Sequence, residues 1–320
     1  MKRKLTVCII NITPDQISSI EKAAAEKGWT AEFYEKDEDG IKAAKDSEVV
    51  FADSPKFALD APDLKWICCP SAGINHFTSS EEFVRSGIML SNSSGAYGVT
   101  ISEHIIMSAL VMLRRIPEYQ KVVASKKWKR DYVIESIKGS SVTFLGTGDI
   151  GKETAVRVRA FDPRKMTGVN TTGIDDSGLF DEMRSSEELK DVLTDTDILI
   201  MSLPNTEKAR CIMDEEKLSL LPHGALIVNV GRGTSIDEEA LIRMLKEGRL
   251  RAALDVFCKE PIPEDSELWD CPNLMITPHV AGDMYLPYTV QRIVDMFLED
   301  FSRYTEGEMP VRLVDLARGY

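Results

Sequence analysis

The sequence predicts an α/β protein of two parallel-sheet domains, and three observations carry that expectation. Short apolar runs alternate with amphipathic stretches along most of the 320 residues, the pattern of consecutive strand–helix units. The run Val142-Thr143-Phe144-Leu145 passes directly into Gly146-Thr147-Gly148-Asp149-Ile150-Gly151, a G-x-G-x-x-G spacing with a strand before it and a helix after it. A polar break, Asn92-Ser93-Ser94-Gly95-Ala96-Tyr97-Gly98, divides the two series of strands.

In chain order, residues 5–10 form the first strand. Met1-Lys2-Arg3-Lys4 begins like a signal peptide, but the apolar run after it has six residues and Asn11 ends it, too short for a signal h-region. Thr13-Pro14-Asp15-Gln16 has the form of a capping box with proline at the first helical position. It predicts a helix to about Lys27, stopped by Gly28. Strands follow at 31–34, 49–52, 66–69 and 88–91, enough for a small parallel sheet covered by helices. Ser71, Ala72 and Gly73 lie in a turn directly after the strand 66–69. Ligands of open α/β sheets bind outside the carboxyl ends of strands, and small residues there offer bare backbone N–H groups to a carboxylate. An ordinary strand-to-helix turn is the competing reading.

A long apolar helix is expected at 100–115 and a second at 117–126. Trp128-Lys129-Arg130-Asp131-Tyr132 suits an arm packed on a neighbour, or a solvated linker. Six strands are expected beyond it, at 142–145, 166–169, 198–202, 225–230, 252–256 and 274–277, with helices between them. One of these runs over 237–247 with Gly248 as its stop. Another starts at Ser185, with Glu188 completing a capping-box spacing. Six strands led by the glycine motif match a doubly wound sheet. A helix over 287–304 precedes a tail, 310–320, that has no strand partner in the second series. The tail is expected to return to the first domain, which makes that domain discontinuous: residues 1–98 and 288–320, with 99–287 as the other domain.

Composition narrows the function classes. Lys plus Arg is 39 against 52 Asp plus Glu, a net charge of −13. Such a chain is a poor nonspecific nucleic-acid binder, because that binding rests on neutralising phosphates. No apolar run approaches membrane-spanning length. Cys8, Cys68, Cys69, Cys211, Cys258 and Cys271 show no C-x-x-C spacing, and read as reduced thiols of a cytosolic protein with no metal site.

The glycine motif carries the first chemistry. Gly146 permits the turn, Gly148 lets the backbone approach a pyrophosphate, and Gly151 lets the helix sit close to the strand. Thr147, Asp149 and Ile150 lie between them, and the free N–H groups at the helix start face an anion. Three further groups stand at the ends of late strands: Arg232 after 225–230, Asp255 and Glu260 after 252–256, and His279 after 274–277. Arginine offers planar, bidentate donors to a carboxylate or carbonyl. Histidine holds or releases a proton near neutral pH, and a neighbouring carboxylate stabilises its imidazolium. Taken singly, each has a bland reading as an ion-pair, loop or structural residue. His76, His104 and His223 are expected to be structural or peripheral.

These motifs together resemble the D-isomer-specific 2-hydroxy acid dehydrogenase family. The resemblance rests on Gly146–Gly151, Val228-Asn229-Val230-Gly231-Arg232-Gly233, Ala253-Leu254-Asp255-Val256-Phe257 through Glu260-Pro261, and Thr277-Pro278-His279-Val280-Ala281-Gly282. Weaker echoes are Trp66 to Gly73, Ser102-Glu103-His104, and Val314-Asp315 to Gly319-Tyr320. The resemblance implies two Rossmann-like domains: a doubly wound cofactor domain and a smaller, flavodoxin-like substrate domain. It implies reduction of a small 2-oxo acid, such as glyoxylate or hydroxypyruvate, to the D-2-hydroxy acid with NAD(P)H. Arg232 then holds the carboxylate and polarises the carbonyl, His279 is the general acid, and Glu260 is its partner. Asp255 lies near the nicotinamide amide. Ser71, Ala72 and Gly73, with Arg232 and His279, bind substrate. Leu203, Pro204, Thr206, Val230, Gly231 and Gly282 join the glycine motif at the cofactor, and His279 also faces it.

Family resemblance also implies a homodimer joined through the cofactor domain, with residues 100–132 as the arm. Tyr97, Met284, Tyr285 and Leu286 are expected to line the pocket for the substrate side chain. Asn170 stands 19 residues after Gly151, where an NAD site usually carries an acid for the ribose 2′-hydroxyl. Thr171 and Thr172 follow with hydroxyls for phosphate oxygens. The expectation is NADP(H), with a neutral turn accepting either cofactor as the alternative. Two other functions stay open. A dinucleotide-sensing corepressor of the same fold needs a partner-binding cleft or extensions. A formate- or phosphite-oxidising relative is disfavoured by Glu260, since formate enzymes resemble the pattern with an amide there.

Overall fold

The computed structural model describes residues Arg3–Leu316. Met1, Lys2 and the last four residues of the expected tail, including Gly319-Tyr320, lie outside the described residues. The chain divides into two compact units, 1–97 with 283–320, and 98–282. The sequence boundaries stood one residue later at the first junction and five later at the second. Residues 283–286 stay with the first unit, where Asn11 Nδ2 donates to the Met284 carbonyl at 3.3 Å.

Among the described residues the first unit contains five strands, β1 Arg3–Cys8, β2 Trp29–Phe33, β3 Val49–Ala52, β4 Trp66–Cys68 and β5 Met89–Ser91. They form one parallel sheet in the order β2-β1-β3-β4-β5. The first helix, Pro14–Glu26, starts as its sequence dictates. Thr13 Oγ1 accepts from Gln16 N, and Gln16 Oε1 accepts from Thr13 N, so two of the orphan donors at the helix start are satisfied. Gln16 also donates to Gln291 Oε1 at 2.9 Å, on the helix Pro287–Thr305. That helix closes one face of the sheet with an aromatic cluster. Phe297 stacks on Phe51 at 4.2 Å, and Phe301 meets Trp29 edge-on at 5.2 Å. Beyond the helix the chain lies along β5: Leu313 forms an antiparallel bridge with Ser91, and Val314 N donates to Leu90 O at 2.8 Å.

The second unit has seven parallel strands: β6 Ser141–Leu145, β7 Lys165–Asn170, β8 Glu182–Ser185, β9 Ile198–Met201, β10 Leu226–Asn229, β11 Arg251–Leu254 and β12 Leu274–Ile276. Their order is β12-β11-β10-β9-β6-β7-β8. The order reverses between β6 and β9, the switch point at which such sheets open a ligand crevice. Both sheets have the α/β character expected from the sequence. The strand β8 was not expected. Its residues Glu182-Met183-Arg184-Ser185 are all half-exposed, and charges rather than an apolar alternation occupy this edge, where they discourage further strand pairing. Lys165 and Arg184 both pair with Glu182 there.

One face of the second sheet buries Leu145, Leu199, Ile227, Leu241, Leu245 and Leu254 with their neighbours. The helix Glu238–Lys246 delivers Leu241 and Leu245, and Asp237 caps it by accepting from Ala240 N. No helix among the described residues is long and apolar enough to cross a membrane.

Candidate active site

The glycine motif is folded as its spacing requires. Gly146 has φ +109°, and a Cβ on Gly151 would lie 2.2 Å from the Gly146 carbonyl oxygen. Any side chain at 151 would therefore push the helix Asp149–Arg159 off the strand. A Cβ on Gly148 would meet nothing within 4 Å. Gly148 is the N-cap of that helix, and no side chain caps it. The unhindered glycine and the uncapped N-terminus fit a dinucleotide pyrophosphate.

At the end of β7 the turn is organised differently from the sequence expectation. Asn170 Nδ2 donates to Thr147 Oγ1 at 2.8 Å and to Ile174 O at 2.9 Å. Its Oδ1 accepts from Gly173 N, Thr172 N and Thr172 Oγ1. Asn170 thus holds its own turn together, and the Thr172 hydroxyl is engaged with it, while Thr171 is exposed. Lys152 Nζ lies 2.7 Å from Asp175 Oδ2 beside this turn. Leu203 lies against Gly231, whose Cβ would sit 2.6 Å from Leu203 N. Thr206 caps a turn, its hydroxyl accepting from Ala209 N at 3.3 Å. Val230 is buried, Ile150 and Gly282 are half-buried, and Pro204 is exposed.

Arg232, Glu260 and His279 leave the ends of three adjacent strands, β10, β11 and β12. Asn229 shapes the first of these loops. Its Oδ1 accepts from Gly231 N and its Nδ2 donates to Arg232 O, both at 3.0 Å. Gly233 is packed so tightly that a Cβ would lie 1.9 Å from the Phe257 carbonyl carbon. Among the described residues the Arg232 guanidinium makes one hydrogen bond, Nη1 to Gly231 O at 2.7 Å. Burial lowers its pKa, and the Glu260 carboxylate acts in the opposite sense. Glu260 Oε1 accepts from Phe257 N at 2.9 Å, which fixes the carboxylate. Its Oε2 lies 2.7 Å from His279 Nδ1. One carboxylate thus stands beside both the guanidinium and the imidazole. The peptide bond from Glu260 to Pro261 is cis.

His279 takes a left-handed backbone conformation, φ +55°, rare for a side chain with a Cβ. Asp255 holds it there. This carboxylate is 2% exposed and accepts from Thr277 Oγ1 at 2.5 Å, Val280 N at 3.0 Å and Ala281 N at 2.9 Å. Both oxygens are spent on the His279 loop. The sequence reading, which set Asp255 beside the nicotinamide amide, missed that positioning contact. It also left His104 peripheral. His104 Nε2 lies 3.2 Å from Thr277 Oγ1 and 3.9 Å from Asp255 Oδ1. Because the Thr277 hydroxyl donates to Asp255, it accepts from His104, so Nε2 carries the proton. Burial lowers the His104 pKa, with Asp255 opposing. Ser102-Glu103-His104 was the available sequence signal, but its partner lies 173 positions away.

In the first unit the turn carrying Ser71, Ala72 and Gly73 is pinned from several sides. Tyr97 OH donates to Pro70 O at 2.7 Å, Ser93 Oγ to Cys69 O at 3.0 Å, and Asn92 Nδ2 to Ala72 O at 2.8 Å. Tyr97 is 6% exposed and supports this turn through its hydroxyl. Met284 is half-buried, while Tyr285 and Leu286 are exposed. Ser71 Oγ donates to Asp53 Oδ2 at 2.5 Å, and His76 Nε2 lies 2.9 Å from Asp53 Oδ1. Neither Asp53 nor His76 was singled out as a functional residue from the sequence.

Residues 106–281 match the family described as D-isomer specific 2-hydroxyacid dehydrogenase, NAD binding domain. A glyoxylate reductase of Thermofilum pendens is 30% identical over 261 residues, covering 80% of this chain and 76% of the relative. A glyoxylate/hydroxypyruvate reductase A of Salmonella heidelberg is 31% identical over 235 residues, 70% of each. Among solved structures, a D-isomer specific 2-hydroxyacid dehydrogenase family protein of Aeromonas salmonicida superposes with a TM-score of 0.87 at 26% identity. The match covers 99% of this chain and 100% of that one. The NADPH-dependent glyoxylate/hydroxypyruvate reductase of Sinorhizobium meliloti, in complex with NADP and sulfate, shares the fold, with a TM-score of 0.82 at 24% identity over the whole of both chains. The chain therefore belongs to the D-isomer specific 2-hydroxyacid dehydrogenase family, oxidoreductases of Rossmann-type fold with an NAD-binding domain.

Proposed function

We propose that this protein reduces a small 2-oxo acid, of the glyoxylate or hydroxypyruvate type, to the D-2-hydroxy acid, with NADPH preferred over NADH. The observation that carries the reading is a half-buried Arg232 guanidinium with a single hydrogen bond of its own, beside a Glu260 carboxylate that holds His279 at 2.7 Å. Arg232 has N–H groups to spare for a carboxylate or a carbonyl oxygen. Hydride addition moves the carbonyl π electrons onto oxygen, and a fixed cation stabilises that charge where it forms. With Nδ1 facing Glu260, the His279 proton passes from Nε2 to the carbonyl oxygen. Until that proton leaves, Glu260 offsets the charge on the imidazolium. When bound, the nicotinamide supplies the hydride. Ser71, Ala72 and Gly73 are assigned to the substrate carboxylate through their backbone N–H groups.

The NADPH preference draws support from β7, which ends in Asn170 and so lacks the acid that would repel a 2′-phosphate. Lys152 adds a cation at the same turn. We assign a homodimer through the cofactor domain. Trp128 is 93% and Val133 81% exposed on the proposed arm, apolar surface that a second copy covers. The six cysteines are free thiols among the described residues, in keeping with work in the cytoplasm.

The test is loss of NADPH and NADH absorbance with glyoxylate, hydroxypyruvate and bulkier 2-oxo acids, with Arg232→Ala alongside. Turnover with NADPH favoured supports the reading. Normal turnover by the variant would overturn the role of Arg232. No turnover on any oxo acid, together with a tight protein partner, would favour the corepressor-like alternative.

A further inference from the structure

A second cluster of chemistry-bearing side chains lies in the first unit. Asp53 follows β3, Cys69 follows β4, and His76 is in the first turn of the short helix Asn75–Thr78. The strands β3 and β4 are parallel neighbours, so residues 53 and 69 emerge side by side at their carboxyl ends. Cys69 Sγ and His76 Nε2 each lie 2.9 Å from Asp53 Oδ1. The sulfur, the ring nitrogen and a carboxylate oxygen are all within 4.8 Å of one another. Among the described residues no other three histidine, cysteine or acidic side chains converge in this way.

We propose that Asp53, Cys69 and His76 form a binding site for one thiophilic divalent cation of the zinc type. The donor set is the first argument. A thiolate, an imidazole and a carboxylate are the ligands that such a cation takes, usually in tetrahedral arrangement. Bonds of about 2.0–2.3 Å place tetrahedral ligands about 3.3–3.7 Å apart. The observed 2.9 Å contacts therefore need to open by less than about 1 Å, within the reach of side-chain torsions. Charge is the second argument. A thiolate and a carboxylate neutralise a dication, so loading leaves no net charge beside the buried sulfur.

Burial gives the third argument. Cys69 is 0% exposed and forms the floor, whereas the His76 and Asp53 side chains are 40% and 41% exposed. A cation thus has a route in, and a fourth position open to water. The supporting contacts are already in place. Ser71 Oγ binds Asp53 Oδ2, which turns Oδ1 toward the sulfur and the ring, and Tyr97 and Ser93 fix the backbone at 69–70. Outer contacts of this kind orient metal ligands and sharpen affinity. The bound cation would tie the turn after β4 to the end of β3. None of this depends on the hydride-transfer reading above.

The test uses the full chain, reduced and stripped with chelator, titrated with Co²⁺. The expected result is one equivalent bound, with a thiolate-to-cobalt charge-transfer band, visible d–d bands of four-coordinate intensity, and loss of both on adding Zn²⁺. Cys69→Ser should abolish the charge-transfer band. His76→Ala and Asp53→Asn, both at half-open positions, should each weaken Co²⁺ binding at least tenfold, so the conclusion does not hang on how Cys69→Ser folds. Absence of a charge-transfer band at one equivalent overturns the proposal. So does a band that persists in Cys69→Ser, which would move the metal to another thiol such as the exposed Cys211 or Cys258, and so does unchanged affinity in both other variants.

Discussion

Replacing Arg232 by methionine should separate stability from turnover. The side chain keeps a similar reach but loses a charge that burial already disfavours. What the fold loses is one hydrogen bond to the carbonyl of Gly231, worth about 0.5–1.5 kcal/mol. What it gains is relief from holding a partly desolvated cation whose nearest carboxylate, Glu260, is bonded elsewhere. These terms are similar in size and opposite in sign, so the melting temperature should move by no more than about 4 °C in either direction. Turnover should respond far more. Removing one donor from a developing oxyanion costs about 2.7–4 kcal/mol, a 10²- to 10³-fold fall in kcat. Loss of the carboxylate contact should raise KM as well. Arg232→Lys restores the charge without the planar fork, and should recover part of kcat and little of KM. The assay is NADPH oxidation against glyoxylate concentration, with thermal unfolding on the same preparations. If Arg232→Met melted many degrees lower while still turning over normally, the residue would be a structural ion-pair partner and the proposed mechanism would fail.

Three further outcomes follow from named contacts. Asn170→Asp puts a carboxylate at the end of β7 and removes the amide donations to Thr147 and Ile174. At an effective dielectric between protein surface and water the new repulsion of a 2′-phosphate is about 1–4 kcal/mol, so the NADPH/NADH ratio of kcat/KM should drop at least about fivefold; an unchanged ratio would remove residue 170 from cofactor choice. Glu48 is held down to about 2, chiefly by its hydrogen bonds to Arg3, with Tyr304 and Lys65 adding to them. A depressed carboxyl stabilises the fold above its unfolded value of about 4.5 and loses that contribution as pH falls toward 2. Glu48→Gln should therefore cost up to about 3 kcal/mol at pH 7 and almost nothing near pH 2 in denaturant titrations, and equal penalties at both would refute the linkage. Phe297, 1% exposed and stacked on Phe51, should cost about 3–5 kcal/mol when cut to alanine, read as early melting of the first unit by near-ultraviolet dichroism.

What the sequence made legible follows from how parallel sheets translate order along the chain into position. Every strand in such a sheet points the same way, so a residue directly after an apolar run is placed at the same edge as its counterparts. Arg232, Glu260 and His279 follow β10, β11 and β12, which are neighbours in register, and their convergence could be inferred without coordinates. Local signals were equally readable. The Thr13 and Ser185 capping boxes are both formed, because each needs only the three residues that follow it.

Contacts that cross between loops, or from a helix onto a loop, escaped that logic. His104 reaches Thr277 from the helix Gly98–Leu113, where Ser102-Glu103-His104 marks the position but not the partner. Asp53, Cys69 and His76 come from three elements, and none has a spacing that marks a ligand set. Asn170 shows a subtler limit. The missing acid was visible, but an amide that donates twice and accepts three times within its own turn is not free to take the place of that acid. On the proposed NADPH reading, residue 170 contributes only the absence of a repelling charge, and the discriminating attraction comes from a neighbouring group. Lys152, ion-paired with Asp175 beside the same turn, is the cation that a 2′-phosphate can recruit. An Lys152→Ala variant that kept its full NADPH preference would return that preference to the neutrality of Asn170 alone.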